Sequence, residues 1–200
     1  MTDITAEEKI KKAASEVFLL KGLDGARMQE IADKAGINKA LLHYYYRSKE
    51  QLFKSVFEEK LLSFLPKIFQ VFHSDQTIEE KVHLLAERYI DFLKLNPELP
   101  HFVLGELQRR PERLFEKIDA KLSMNVDVIG MQLKKEAQQG RIREIAPQHF
   151  IANLLSMIVF PFIASPLFMK VLQYDKDAYY DYLDHRKKEV PAFIMAALRV

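Results

Sequence analysis

The sequence predicts an all-α fold, and three observations carry that prediction. Only six of 200 residues are glycine. No Asn-Gly or Asp-Gly pair joins two alternating runs, as a β-hairpin would require. Long segments repeat their apolar residues at the 3.6-residue helical period. The length suffices for one or two domains with a real core. A hydrophobic content of 48% and a charged content of 29% are those of an ordinary soluble protein. The absence of cysteine excludes disulfides, a thiol nucleophile and a Cys-type zinc site, and it suits a reducing cytoplasm. The polar N-terminus, M-T-D-I-T-A-E-E-K-I, lacks the apolar stretch of a secretion signal, so a cytoplasmic location is expected.

Thr5 followed by Glu8 is a capping box that opens a first helix. Ile10, Ala13, Ala14, Val17 and Phe18 give this helix one apolar stripe, and Gly22 ends it. The stretch from Arg27 to Leu52 then falls into two short helical patterns parted by Ala35-Gly36-Ile37, the layout of a helix-turn-helix. Met28, Ile31, Ala32 and Ala35 form the apolar side of the first of the pair, and Gly36 supplies the left-handed residue past its end. Asn38 is an N-cap for the second helix, over about residues 39 to 46. Leu42 and Tyr46, four apart, face inward, leaving Lys39, Ala40, His43, Tyr44 and Tyr45 outward. The chain is only +2 overall, yet Lys34, Lys39, Arg47, Lys49 and Lys54 stand here against Glu50 alone. Local excess of this kind is what contact with phosphates requires.

The run I-A-D-K-A-G-I-N-K-A-L-L-H-Y-Y-Y-R-S-K-E-Q-L closely resembles the DNA-binding signature of TetR-type bacterial transcription regulators. The match rests on Ile31, Ala32, Ala35, Gly36, Ile37, Lys39, Leu42, Tyr46, Ser48, Lys49, Glu50 and Leu52, after a single N-terminal helix. Ala26, Leu41 and Ala40 depart from the residues usual in that family, so no phosphate contact is carried over to Ala26 or Leu41. The resemblance implies that Lys39, Ala40, His43, Tyr44, Tyr45 and Lys49 meet double-stranded DNA, with Asn38 at the same surface and Arg27 and Gln29 adding backbone contacts. It divides the chain into a DNA-binding domain, residues 1–47, and a helical regulatory and dimerisation domain, residues 48–200.

Ser48 with Gln51 reads as a second capping box, opening a long fourth helix to about Phe72 in which Pro66 makes a bend or a break. Thr77 with Glu80 opens a fifth helix, stopped by Asn96-Pro97. Pro100 marks a sixth through Arg109, and a longer helix follows from about Arg113 to Gln139, closed by Gly140. Phe64, Phe92, Phe102, Met124 and Met131 are the expected lining of an apolar ligand space, against the plainer reading of core filling.

From Ile145 to Met169 no residue carries a formal charge. Gln148, His149, Asn153, Ser156 and Ser165, with Pro161 and Pro166, disfavour a membrane span. A helix apolar around most of its circumference is instead buried on two sides. Phe150, Leu154, Met157, Ile158 and Phe160 on this helix, and Phe193 and Ala197 on the last one, are the expected dimer contacts. The apolar surplus comes from the residues, and the homodimer from the family resemblance.

No nucleophile elbow, phosphate loop, dinucleotide fingerprint or H-E-x-x-H motif occurs. The pairs Glu80/His83 and Glu98/His101 have di-iron spacing but lack further glutamates, and read as coincidence. Arg109, Arg110 and Arg113 suit an anion or a solvated loop. The expectation is therefore a DNA-binding repressor without cofactor or enzymatic activity, released by an apolar small molecule. Regulation by a protein partner and, behind it, a helical-bundle enzyme remain the alternatives.

Overall fold

The computed structural model describes residues 5–109, 111–112, 116 and 126–200. Within these residues the helices are α1 (Ala6–Gly25), α2 (Met28–Ala35), α3 (Lys39–Tyr45), α4 (Lys49–His73), α5 (Ile78–Lys94), α6 (Leu99–Arg109), α7 (Val126–Gln138), α8 (Pro147–Ile163), α9 (Ser165–Leu172) and α10 (Lys176–Leu198). No strand occurs among the described residues.

The helix ends follow the local chemistry. Thr5 and Glu8 form the full capping box at α1, with the Glu8 carboxylate accepting from the Thr5 amide at 2.8 Å. Gly22, at φ 65°, interrupts α1 in a conformation a side chain would strain. Thr77 and Glu80 repeat the box at α5. At α4 the expected box is only half formed. Ser48 accepts from the Gln51 amide, but the Gln51 side chain accepts from the amide of Arg47, one residue earlier than the box requires. Pro66 does not divide α4, which runs on to His73.

Helix α4, about 37 Å long at 1.5 Å per residue, packs on α1 with its first half and on α5, α6 and α7 beyond it. Phe53 and Phe57 lie 4.2 Å apart and touch Phe18 of α1 on one side, at 5.0 and 6.5 Å, and Phe102 of α6 on the other, both at 6.0 Å. Nothing resembling a linker separates the two bundles, because Leu52, Phe53 and Val56 of α4 complete the core around α1 and α2.

A buried polar cluster fastens α7. The Lys81 ammonium donates to the Phe72 carbonyl at 2.8 Å and to Gln132, whose amide reaches the Glu136 carboxylate at 3.0 Å. Glu136 also accepts from the Ile78 amide at 3.2 Å, so the α5 start and α7 share one network. Burial pushes the Lys81 ammonium below its ordinary pKa.

Helices α8 and α10 run antiparallel. Pro161 has no amide proton, which frees the carbonyl of Met157 four residues earlier. Arg186 of α10 fills that vacancy at 2.6 Å, and the Tyr179 hydroxyl donates to the carbonyl of Pro161 itself at 2.6 Å. At the other end Arg143 donates to the carbonyls of Ala197 and Leu198. On the opposite side of α10, Lys187 pairs with Asp184 and Asp91, and Lys94 with Asp184, joining it to α5.

Several sequence expectations change. Phe150, Leu154 and Ile158 are buried in their own subunit, since they are the face of α8 turned to α5 and α10. Phe160, Phe193 and Ala197 are exposed, and Met157 is half-buried between the two groups. The aromatic residues expected around one ligand space separate: Phe64 stacks on Phe92 with centroids 3.7 Å apart, whereas Phe102 belongs to the cluster between α4 and α6. Met131 points away from the interior, 66% exposed on a polar cleft. Met124, Arg110, Arg113 and the first part of the helix expected from Arg113 lie outside the described residues. Among the described residues no single helix is long and apolar enough to cross a membrane, and α8 and α9 are bent by 74°.

The buried cluster gives the first prediction. Glu136→Ala leaves the Ile78 amide without its acceptor and removes one of the two acceptors of the Gln132 amide, at a cost of about 1–3 kcal/mol, and lowers the thermal midpoint by several degrees. Glu79→Ala, on the exposed first turn of α5, leaves it within error. Equal midpoints for the two variants in a circular-dichroism melt contradict the role given to Glu136.

Candidate nucleic-acid interface

The α2–α3 corner is built by local rules. Gly36 sits at φ 68°, ψ 34°, and the Ile37 amide donates back to the Ala32 carbonyl at 3.0 Å, closing α2 and turning the chain. Asn38 caps α3, its side-chain oxygen accepting from the Leu41 amide at 2.7 Å. Leu42 is fully buried and Tyr46 nearly so, as the four-residue spacing predicts. These two anchors turn the opposite side of α3 to solvent.

Tyr46 is held from two directions. Its hydroxyl donates to the Glu7 carboxylate of α1 at 3.0 Å and lies 3.5 Å from Ser55 of α4. Lys11 bonds to Glu7 at 3.2 Å and to Glu59 at 2.9 Å, so α1, the end of α3 and α4 share one polar clasp. The Tyr46 hydroxyl bond holds the Glu7 carboxyl below its ordinary pKa, and burial pushes the Tyr46 hydroxyl up.

The outward side of α3 carries Lys39, Ala40, His43, Tyr44 and Tyr45, all exposed. Tyr44 is 81% exposed and meets Tyr45 edge to face at 5.5 Å. Arg27 and Gln29 are exposed at the start of α2, where Gln29 bonds to Asp33 at 2.8 Å. Arg27 and Gln29 line a cleft with Lys21, Gly25, Glu30 and Asp33, apart from the α3 residues, and Asn38 is engaged as a cap.

The charge reading needs correction. Lys34 pairs with Glu16 of α1 at 2.9 Å, and Lys54 with Glu58 and with Glu106 of α6. Lys49 is half-buried, and its ammonium donates to the carbonyls of Asp24 and Ala26 at 3.2 and 3.1 Å. These are carbonyls left open between α1 and α2, so in the free chain Lys49 secures the turn that presents Arg27 instead of extending toward a phosphate. Lys39 and Arg27 are exposed without an ionic partner among the described residues, and so is Arg47, which the contact set expected from the sequence omits. Its position immediately past the buried Tyr46 anchor was the available signal.

A convex, half-aromatic helix face with cations at its edges can enter a major groove, where only outward side chains of a short helix reach base edges. The profile of bacterial regulatory proteins of the tetR family matches residues 10–56, covering α1 to the first turns of α4. Residues 10–56 are thus a DNA-binding domain of the tetR type. The chain is a DNA-binding transcription regulator.

The likeness to known regulators extends beyond this segment. It is 26% identical over 136 residues to the fatty acid metabolism regulator protein of Bacillus subtilis, covering 68% of this chain and 70% of that one. It is 28% identical over 153 residues to the transcriptional regulator RutR of Escherichia coli K12, covering 74% and 70%. Among solved structures, a TetR/AcrR-family regulator from Thermobifida fusca superposes with a TM-score of 0.68 at 17% identity, covering 97% and 98%. FadR from Bacillus subtilis in complex with stearoyl-CoA superposes with a TM-score of 0.61 at 21% identity, covering 96% and 98%. At these identities the structures share the fold.

Titration of DNA affinity against salt separates the three cations Lys39, Arg47 and Lys49. Lys39→Ala and Arg47→Ala are each expected to reduce the salt slope by about one counterion without lowering the thermal midpoint. Lys49→Ala is expected to lower the midpoint and the affinity for every sequence while keeping most of the slope. A Lys49→Ala variant of native stability whose slope falls like that of Lys39→Ala restores the direct phosphate contact.

Proposed function

We propose that the regulator is a homodimeric repressor, acting in the cytoplasm on a nearly palindromic operator and released by an apolar small molecule. Residues 1–47 read DNA and residues 48–200 sense the effector and pair the chains, with α4 belonging physically to both. The observation that carries this reading is the aromatic cluster in which α4 touches α1 through Phe18 and α6 through Phe102. A shift of α6 on α4 is passed to α1 and, through Tyr46 and Glu7, to α3.

On DNA, Lys39, Arg47 and Arg27 supply sequence-independent attraction, while His43, Tyr44 and Tyr45 meet base edges and thymine methyls, and Ala40 lets the backbone approach. In a dimer the two α3 helices must lie about 34 Å apart to enter successive major grooves. An effector that favours another separation weakens binding without touching DNA. Phe64, Phe92 and the half-buried Tyr89 supply an aromatic wall for such a molecule. A relative named for fatty acid metabolism and a neighbour holding stearoyl-CoA favour a long-chain acyl group as the apolar part. The paired surface consists of the exposed sides of α8 and α10, with Phe160, Phe193, Ala197 and Met157 at the contact and Phe150, Leu154 and Ile158 supporting them from behind.

The test uses a labelled fragment of the protein's own promoter region, followed by fluorescence anisotropy and by sedimentation of the complex. Protein freed of copurifying lipid is expected to bind as two chains per duplex. Stearoyl-CoA, or the lipid extract added back, is expected to weaken binding at least ~10-fold, within the usual range of effector coupling. Affinity indifferent to both overturns the effector, and one chain per duplex overturns the dimer.

A further inference from the structure

Helix α9 is unusual among the described helices because none of its residues is buried. Its inner side is nevertheless fixed. Phe168 lies 6.1 Å from both Phe160 of α8 and Tyr182 of α10, and Tyr174, just past the helix, lies 6.0 Å from Tyr182. Gln173, at φ 55°, ends α9 in the left-handed region, the one non-glycine to do so among the described residues. The outer side is apolar, with Leu167 60% and Val171 67% exposed. A rigid eight-residue projection that offers aliphatic side chains to water is a docking element without its partner.

The same subunit contains a complementary feature. Ile145, Phe150, Met157, Phe193 and Ile194, together with Asn153 and Arg143, line a shallow, mostly apolar groove where the N-terminal half of α8 meets the C-terminal end of α10. Along α8 itself the exposed residues between groove and projection, Ser156 and Phe160 among them, are uncharged. We infer that α9 is an arm that reaches across to a second copy of the chain and seats Leu167 and Val171 in that copy's α8/α10 groove.

This inference rests on the proposed pairing through α8 and α10 and adds to it. A twofold axis normal to that face sets the two α8 helices antiparallel. The C-terminal end of one, from which α9 projects, then lies over the N-terminal half of the other, where the groove is. The contact is isologous, so each copy supplies one arm and one groove. Charge argues against a membrane as the occupant. Lys170 is the only cation on α9, and in the stretch that follows Asp175, Asp177 and Asp181 outnumber Lys176, a balance that an anionic lipid surface does not favour.

The chain has no cysteine, so introduced pairs report cleanly. Leu167→Cys combined with Asn153→Cys is expected to give a covalent dimer on mild oxidation, whereas Leu20→Cys with Asn153→Cys, Leu20 being exposed on α1, gives none. In sedimentation equilibrium, L167E/V171E is expected to raise the dimer dissociation constant at least ~10-fold with an unchanged thermal midpoint. If Phe193→Glu splits the dimer while L167E/V171E leaves it intact and the cysteine pair stays unlinked, the arm is refuted and the pairing through α8 and α10 stands. If neither the arm variant nor Phe193→Glu affects the dimer, both fall. Loss of binding to phosphatidylcholine vesicles by L167E/V171E, with dimerisation unchanged, also refutes the arm.

Discussion

Phe53 and Phe57, pressed between Phe18 and Phe102, form the joint on which the architecture depends. Full burial of a phenylalanine contributes about 1.5–3 kcal/mol, and a well-set aromatic pair roughly 0.5–1.5 kcal/mol more. An exposed ion pair such as Lys21 with Glu30 contributes about 0–1 kcal/mol. Packing therefore outweighs charge at the junction, and α4 is held on both sides by contacts that cannot slide without opening a cavity. A joint of this kind passes displacement from one bundle to the other because neither side can absorb it alone.

Charge has a different part. Most cations near the helix-turn-helix serve the fold: Lys34 and Lys54 pair with carboxylates, and Lys49 closes the carbonyls between α1 and α2. Arg27, Lys39 and Arg47 remain at the surface of each chain. So small a set per subunit makes doubling through a second chain an effective way to raise affinity, since two modules on one duplex act at high effective concentration. In the proposed DNA complex specificity falls to the aromatic face of α3, whose orientation is secured by Leu42 and by the Tyr46 clasp to Glu7.

What was legible in the sequence was local. The Gly36 corner, the Asn38 cap and the inward Leu42 and Tyr46 follow from spacings of four residues or fewer, where backbone geometry alone decides the outcome. The fate of Lys49 was hidden because its acceptors are carbonyls 23 and 25 residues away. Gln51 could be read as half of a capping box, yet its side chain had a choice of two amides and took that of Arg47. On α8 the difficulty was geometric. A helix apolar on nearly every side does not announce which stripe meets its own subunit, so Phe150, Leu154 and Ile158 could not be told from Phe160 by composition. Met131 misled for a related reason, as a flexible apolar side chain fits an interior pattern as readily as the rim of a cleft.

The coupling across the joint can be measured without knowing operator or effector. In a double-mutant cycle of Phe18→Leu and Phe102→Leu followed by urea unfolding, the two residues do not form a direct pair but share Phe53 and Phe57. An interaction energy within the ~0.5–3 kcal/mol found for residues coupled through shared contacts is the result expected of a single joint. Additivity to within about 0.3–0.5 kcal/mol, the behaviour of independent sites, would mean that the two bundles do not feel one another through α4.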